Sequence, residues 1–118
     1  MECVLGIGGI FFKARDPGAL ADWYRQHLGV PVEASQTFGT FNSSAAAEQT
    51  VWSTFPDDTT YFGPGVNTSM VNYRVRNLDA MLAQLRSAGA MVEGRVEEYE
   101  NGRFGWATDP EGNRFELW

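Results

Sequence analysis

The 118-residue chain has one cysteine, Cys3, and one histidine, His27. A single cysteine excludes an intrachain disulfide and any zinc site built on cysteines. His27 stands at the end of an expected helix, where the dipole favours it, and neither residue has the partners of a nucleophilic triad. No run approaches the roughly twenty apolar residues that a membrane-spanning helix needs. Met1-Glu2-Cys3 lacks the basic start and apolar stretch of a secretory leader, so no membrane partner and a cytoplasmic location are expected. Basic residues are also scarce: nine Lys and Arg against fifteen Asp and Glu give a net charge of −6. That charge repels phosphate backbones and argues against nucleic-acid binding, while a cationic ligand is compatible with it.

What remains is an ordinary globular composition, 43% hydrophobic and 20% charged, in a chain long enough for one core. A single domain over residues 1–118 is expected. Ile7 to Ala14 reads as a strand, Asp16 as a helix N-cap with Pro17 in the first turn, and Leu20, Trp23, Tyr24, His27 and Leu28 as a helix stopped by Gly29. Three short strands are expected between Val30 and Thr54, with Ala45-Ala46-Ala47-Glu48 as an alternative helical turn. Phe55 to Asn67 is a connection whose Tyr61 and Phe62 pack on the domain.

The opening pattern then returns. Met70 to Arg76 alternates as a strand, Leu78, Met81, Leu82 and Leu85 mark a helix ending at Ala88-Gly89, and Ala90–Tyr99, Phe104–Thr108 and Asn113–Trp118 follow as strands. Asp109-Pro110-Glu111-Gly112-Asn113 is the turn joining the last two. Placing Gly29 over Gly89 aligns Val30-Pro31-Val32 with Ala90-Met91-Val92 and brings both helices into register. The chain therefore reads as α+β, two tandem βαβββ modules at about 4–55 and 68–118, with a curved mixed sheet around a cavity.

Three segments carry a family resemblance: Ile10-Phe11-Phe12-Lys13-Ala14-Arg15-Asp16 leading to Leu28-Gly29, Tyr73-Arg74-Val75-Arg76-Asn77-Leu78-Asp79 leading to Ala88-Gly89, and the closing Asp109 to Leu117. On these the chain resembles the vicinal oxygen chelate superfamily of glyoxalases, bleomycin-resistance proteins, fosfomycin-modifying enzymes and extradiol dioxygenases. The resemblance implies a paired βαβββ fold, commonly a homodimer, with a site inside the curved sheet. In the family's metalloenzymes the first strand of each module supplies a His or similar ligand and the last strand a Glu or Gln. Here those positions fall on Gly9, on Met70 and near Trp52, and only Glu116 keeps a ligating side chain. Glycine has no donor and a thioether suits hard divalent ions poorly, so neither a catalytic metal nor another cofactor is expected.

Strand alternation puts Gly9, Phe11 and Lys13 on one face with Met70, Asn72 and Arg74, and sends Ile10, Phe12, Tyr73 and Val75 toward the helices. The expected cavity has apolar walls of Phe11, Trp52, Met70 and Trp106, with Asn72, Arg74 and Glu116 as polar anchors. Two bland alternatives stand beside it: Arg74 and Glu116 pairing with each other, and the tryptophans serving only as core. Gly9 leaves extra room in the cavity or allows close backbone contact. Gly6, Gly8 and Gly9 precede a strand rather than a helix and are no phosphate loop.

Three functions follow as expectations. One is a metal-free protein of the bleomycin-resistance type that binds a small organic molecule. Another is a lyase- or dioxygenase-type enzyme, metal-dependent or acid-base, with Glu116 as the best catalytic candidate. The last is a non-catalytic interaction module.

Overall fold

The computed structural model describes residues 1–42, 49–64 and 66–118. It opens with β1 (Val4–Ala14), which ends where Asp16 caps α1 (Pro17–Leu28). The Asp16 carboxylate accepts from Ala19 N at 3.0 Å, satisfying a donor that the first helical turn leaves free. Gly29 ends the helix at φ 68°, a left-handed conformation that glycine adopts without a Cβ clash. Next come β2 (Phe38–Asn42), β3 (Gln49–Pro56) and β4 (Ser69–Val75). Asn77 then caps α2 (Leu78–Ser87) through Ala80 N at 3.0 Å. The chain closes with β5 (Met91–Val92), β6 (Glu97–Tyr99), β7 (Gly102–Thr108) and β8 (Arg114–Leu117).

The mixed sheet runs β2-β3-β1-β4-β8-β7-β5, with β6 paired to β7 off that path. β1 and β4 meet antiparallel at its centre, with Ile10 opposite Val71 and Phe11 opposite Met70. A local two-fold through the Ile10–Val71 pair carries Gly9 onto Met70 and Phe11 onto Asn72. Phe11 lies in register with Ser53 on β3, and Asn72 with Glu116 on β8, so the same operation carries Ser53 onto Glu116.

Side-chain alternation divides the sheet into two faces. Phe12 and Trp52 pack with Ala21 and Tyr24 under α1, while Tyr73, Phe115 and Leu117 pack with Leu78, Met81 and Leu82 under α2. The opposite face gathers Phe11, Met70, Trp106 and Phe62. Burying each of these large side chains contributes about 1.5–3 kcal/mol. Phe62 is wholly buried, so the connection between β3 and β4 is packed against the sheet, as its aromatic residues imply.

Two strand expectations are corrected. The first strand after Gly29 shrinks to a single bridge, Val32 to Gly39. Backbones approach closely there: a Cβ on Gly39 would lie 2.2 Å from Pro31 O. The continuous strand expected over 90–99 divides into β5 and β6, because the chain leaves its partner after Glu93 N bonds Trp106 O at 2.9 Å. The alternative helical turn at Ala45–Glu48 lies outside the described residues. The turn from Asp109 to Asn113 forms as expected, the Asp109 carboxylate accepting from Glu111 N and Asn113 N at 2.9 Å each.

Candidate functional site

Glu116 is the centre of the polar arrangement on the inner face, with 2% of its surface exposed. β8 lies between β4 and β7, and the registers place Asn72 on one side of Glu116 and Trp106 on the other. Asn72 Nδ2 donates to Oε1 at 2.7 Å, Trp106 Nε1 donates to Oε2 at 2.9 Å, and the Tyr61 hydroxyl donates to Oε2 as well. Among the described residues no ion pair involves Glu116. A carboxylate offers about four acceptor positions, so one remains after these three donors are placed.

A second layer supports the first. Arg114 is buried and holds Glu93 bidentately, Nε to Oε2 at 2.6 Å and Nη2 to Oε1 at 2.9 Å. Its guanidinium lies 5.2 Å from the Trp106 ring centre and 5.7 Å from that of Tyr61, and it donates to Tyr61 O. The Arg114 hydrogen bonds hold the Glu93 carboxyl below its usual range. Burial, followed by the charge of Glu116, pushes the Tyr61 hydroxyl well above the ordinary tyrosine range, so it remains a donor at neutral pH.

Beside Glu116 opens a cavity of about 240 Å³. Its walls are Phe11, Phe38, Phe55, Phe104 and Trp118, and its polar end is Asn72 and Glu116. Trp118 is fixed by its Nε1 donating to Asn101 O at 2.8 Å and by stacking on Phe104, centroids 5.6 Å apart. Asn72 Oδ1 is buried and has no hydrogen-bond partner among the described residues. Larger grooves lie on the surface, one of about 600 Å³ along Arg74, Arg76 and Arg103, but they lack this convergence of buried acceptors and aromatic walls.

Of the residues expected at the cavity, Phe11, Asn72 and Glu116 line it. Met70 and Trp106 lie on the same face but behind the lining, 2% and 1% exposed, and Trp106 acts as a donor to Glu116. Trp52 is corrected: it sits on the other face beneath α1, its ring 5.0 Å from Tyr24. The parallel register of β1 and β3 makes Ser53 the counterpart of Glu116, and a slip of one residue reverses the face of a strand side chain. Arg74 is corrected too. Its Nη1 donates to Ile7 O at 2.6 Å and Gln49 O at 2.8 Å, so it neither pairs with Glu116 nor lines the cavity. Residues not foreseen are Tyr61, Ser53, Gly8 and the aromatic group of Phe38, Phe55, Phe104 and Trp118.

The space at Gly9 is filled by the protein itself, since a Cβ there would lie 2.7 Å from Phe11 Cζ. The room is at Gly8 instead. A Cβ on Gly8 would lie 2.1 Å from Asn72 Oδ1 and 3.0 Å from Trp118 Cε3, so this glycine makes space for both side chains beside the cavity.

The divalent ion that the superfamily implies does not fit the residues present. Gly9 offers no donor, Met70 is packed in the core, and Ser53 Oγ donates to Thr54 O at 3.2 Å. Glu116 keeps one acceptor position beside its three donors, which is too little for an ion that takes about three protein ligands. Among the described residues no three His, Cys, Asp or Glu side chains converge.

No curated protein sequence matches the chain as a relative. Solved structures do match it in fold. Methylmalonyl-CoA epimerase of Streptomyces coelicolor, in complex with 2-nitronate-propionyl-CoA, superimposes with a TM-score of 0.71 at 19% identity, covering 98% of this chain and 96% of that one. The methylmalonyl-CoA epimerase of Mycobacterium tuberculosis gives 0.64 at 22% identity, with 97% and 87% covered. A glyoxalase/bleomycin resistance protein/dioxygenase superfamily member from Vibrio splendidus 12B01 gives 0.58 at 10% identity, with 99% and 97% covered. At these identities the likeness is one of fold. The family model described as glyoxalase-like domain matches residues 9–118, nearly the whole chain. The chain belongs to this glyoxalase-like family.

Proposed function

We propose that this protein binds a small organic molecule in the cavity beside Glu116, without the catalytic metal of its superfamily. The observation that carries the reading is Asn72 Oδ1, a buried acceptor without a donor at the end of an aromatic-walled cavity. Leaving such a group unsatisfied costs about 1–3 kcal/mol, and a ligand N–H or O–H would remove that penalty. The volume of about 240 Å³ lies below the usual range for drug-sized ligands and suits a single ring.

The same proposal takes residues 4–55 and 68–118 as paired modules of one domain, supported by the two-fold relation of β1 and β4. It also takes the protein to act in the cytoplasm, as a homodimer and apart from nucleic acid, in keeping with the charge of −6. For a lyase- or dioxygenase-type activity the metal route lacks donors at Gly9, Met70 and Ser53. An acid-base route would leave Glu116 as the acting group.

Tryptophan fluorescence titrated with a panel of neutral, cationic and anionic single-ring compounds tests the binding claim. Saturable binding whose signal Trp118→Phe strongly reduces and whose affinity Phe104→Ala weakens is expected. Absence of saturable binding across the panel would remove the reading. Elemental analysis after dialysis tests the metal claim: a tightly held ion at one per chain, released by Glu116→Gln, would overturn it.

A further inference from the structure

The polar end of the cavity has acceptors and too few donors. Asn72 Nδ2 is committed to Glu116 Oε1 at 2.7 Å, which leaves Oδ1 of the same amide bare, and Oε1 keeps an acceptor position of its own. The two acceptors belong to hydrogen-bonded neighbours, one a neutral amide and the other a buried carboxylate. Among the described residues no ion pair neutralises that carboxylate, and the two guanidinium groups that lie over Trp106 are paired elsewhere. Arg114 is spent on Glu93, and Arg95, 5.0 Å from the centre of the Trp106 ring, pairs with Glu97 at 3.2 Å. Five aromatic rings line the cavity, with Ser53 and Asn101 as its other polar residues, and ring faces attract cations.

We propose that the cavity selects a small organic cation whose charged end carries at least two N–H donors, an amidinium or a primary ammonium on a single ring. This rests on the small-molecule reading and adds the ligand's class. One N–H bonds Asn72 Oδ1 and the other Glu116 Oε1. The positive charge offsets a buried carboxylate that otherwise has only neutral donors, while the ring stands among Phe11, Phe104 and Trp118. A carboxylate or phosphate ligand is disfavoured by the same geometry, because beside Glu116 it would meet acceptors and, among the described residues, donors already committed to Glu116.

The test compares benzamidinium, benzyl alcohol and benzoate by isothermal titration calorimetry at neutral pH, on the wild-type protein, on Glu116→Gln and on Asn72→Leu. Benzamidinium is expected to bind about tenfold or more tighter than benzyl alcohol, and benzoate not measurably. Glu116→Gln is expected to weaken benzamidinium by about tenfold or more and benzyl alcohol by less than about threefold. Asn72→Leu checks the second acceptor in a variant expected to stay folded, and the benzamidinium preference should fall there as well. Equal or tighter binding of benzyl alcohol, or a preference unchanged in both variants, would overturn the proposal while leaving the cavity reading in place. Failure of all three probes to bind would overturn the cavity reading, and this proposal with it.

Discussion

Replacing Asn72 by leucine separates a ligand-binding role from a structural one. Leucine matches the branched shape of asparagine at a position only 1% exposed. The change removes one hydrogen bond to an ionised group, from Nδ2 to Glu116 Oε1 at 2.7 Å, a loss of about 1.5–3 kcal/mol. It also removes an acceptor that is buried without a partner, a relief of about 1–3 kcal/mol. The substitution also leaves Oε1 of the buried Glu116 carboxylate without a donor, so the relief offsets only part of the loss. Stability is therefore expected to fall by only about 1–2 kcal/mol, when many polar-to-apolar changes that break a buried network cost more. Urea denaturation with a two-state fit measures it. A loss of about 3 kcal/mol or more would refute the reasoning, since it would mean that Asn72 Oδ1 is satisfied in the free protein and that the residue is there for the fold.

Other substitutions follow from the same geometry. Glu116→Leu strands the Asn72, Trp106 and Tyr61 donors together, and a loss of about 3–6 kcal/mol by urea denaturation is expected; Tyr61, which is only half-buried, can turn outward and limits the damage. Glu93→Gln leaves buried Arg114 without its anion and is expected to lower stability at neutral pH by about 1–2 kcal/mol, discounted because the Glu93 side chain is 36% exposed. Its folded carboxyl is held below the ordinary value of 4.5, so the stabilisation is present above that pH and lost as pH falls through the depressed folded value. The gap between wild type and variant in urea titrations should accordingly narrow under acid and not under base. Gly8→Ala places a methyl 2.1 Å from Asn72 Oδ1, so it is expected to cost about 1–3 kcal/mol and to weaken cavity binding, read by calorimetry with benzamidinium.

The helices were legible because their punctuation is local: Asp16 and Asn77 cap through their own side chains, and Gly29 turns the chain out of α1. Asn72 was legible because alternation along its strand fixes the face, and Glu116 because the closing Asp109 to Leu117 segment resembles the family's and makes it the one ligand position that keeps a carboxylate. Trp52 failed for the complementary reason. Its position relative to β1 depends on the register of a parallel pair formed across the sheet, which no pattern within 49–56 reveals, and the one-residue slip exchanged it with Ser53. Gly8 was obscured by the irregularity between Ile7 and Gly9, where β1 shifts register against β4. Tyr61 sits in a connection with no period to read, and only the tertiary fold brings its hydroxyl to Glu116.

The four tryptophans allow the most direct check on the central claim. Trp118 lines the cavity, Trp106 stands one residue behind it, Trp52 lies under α1 on the opposite face, and Trp23 is exposed on α1. Indole N–H signals in a nitrogen-15 correlation spectrum, followed as benzamidinium or benzyl alcohol is added, report each site separately. Saturable movement of the Trp118 signal, a smaller one of Trp106, and stationary Trp52 and Trp23 signals are expected if a small molecule enters beside Glu116. No movement of Trp118 at saturating probe, or movement confined to Trp23, would contradict the account.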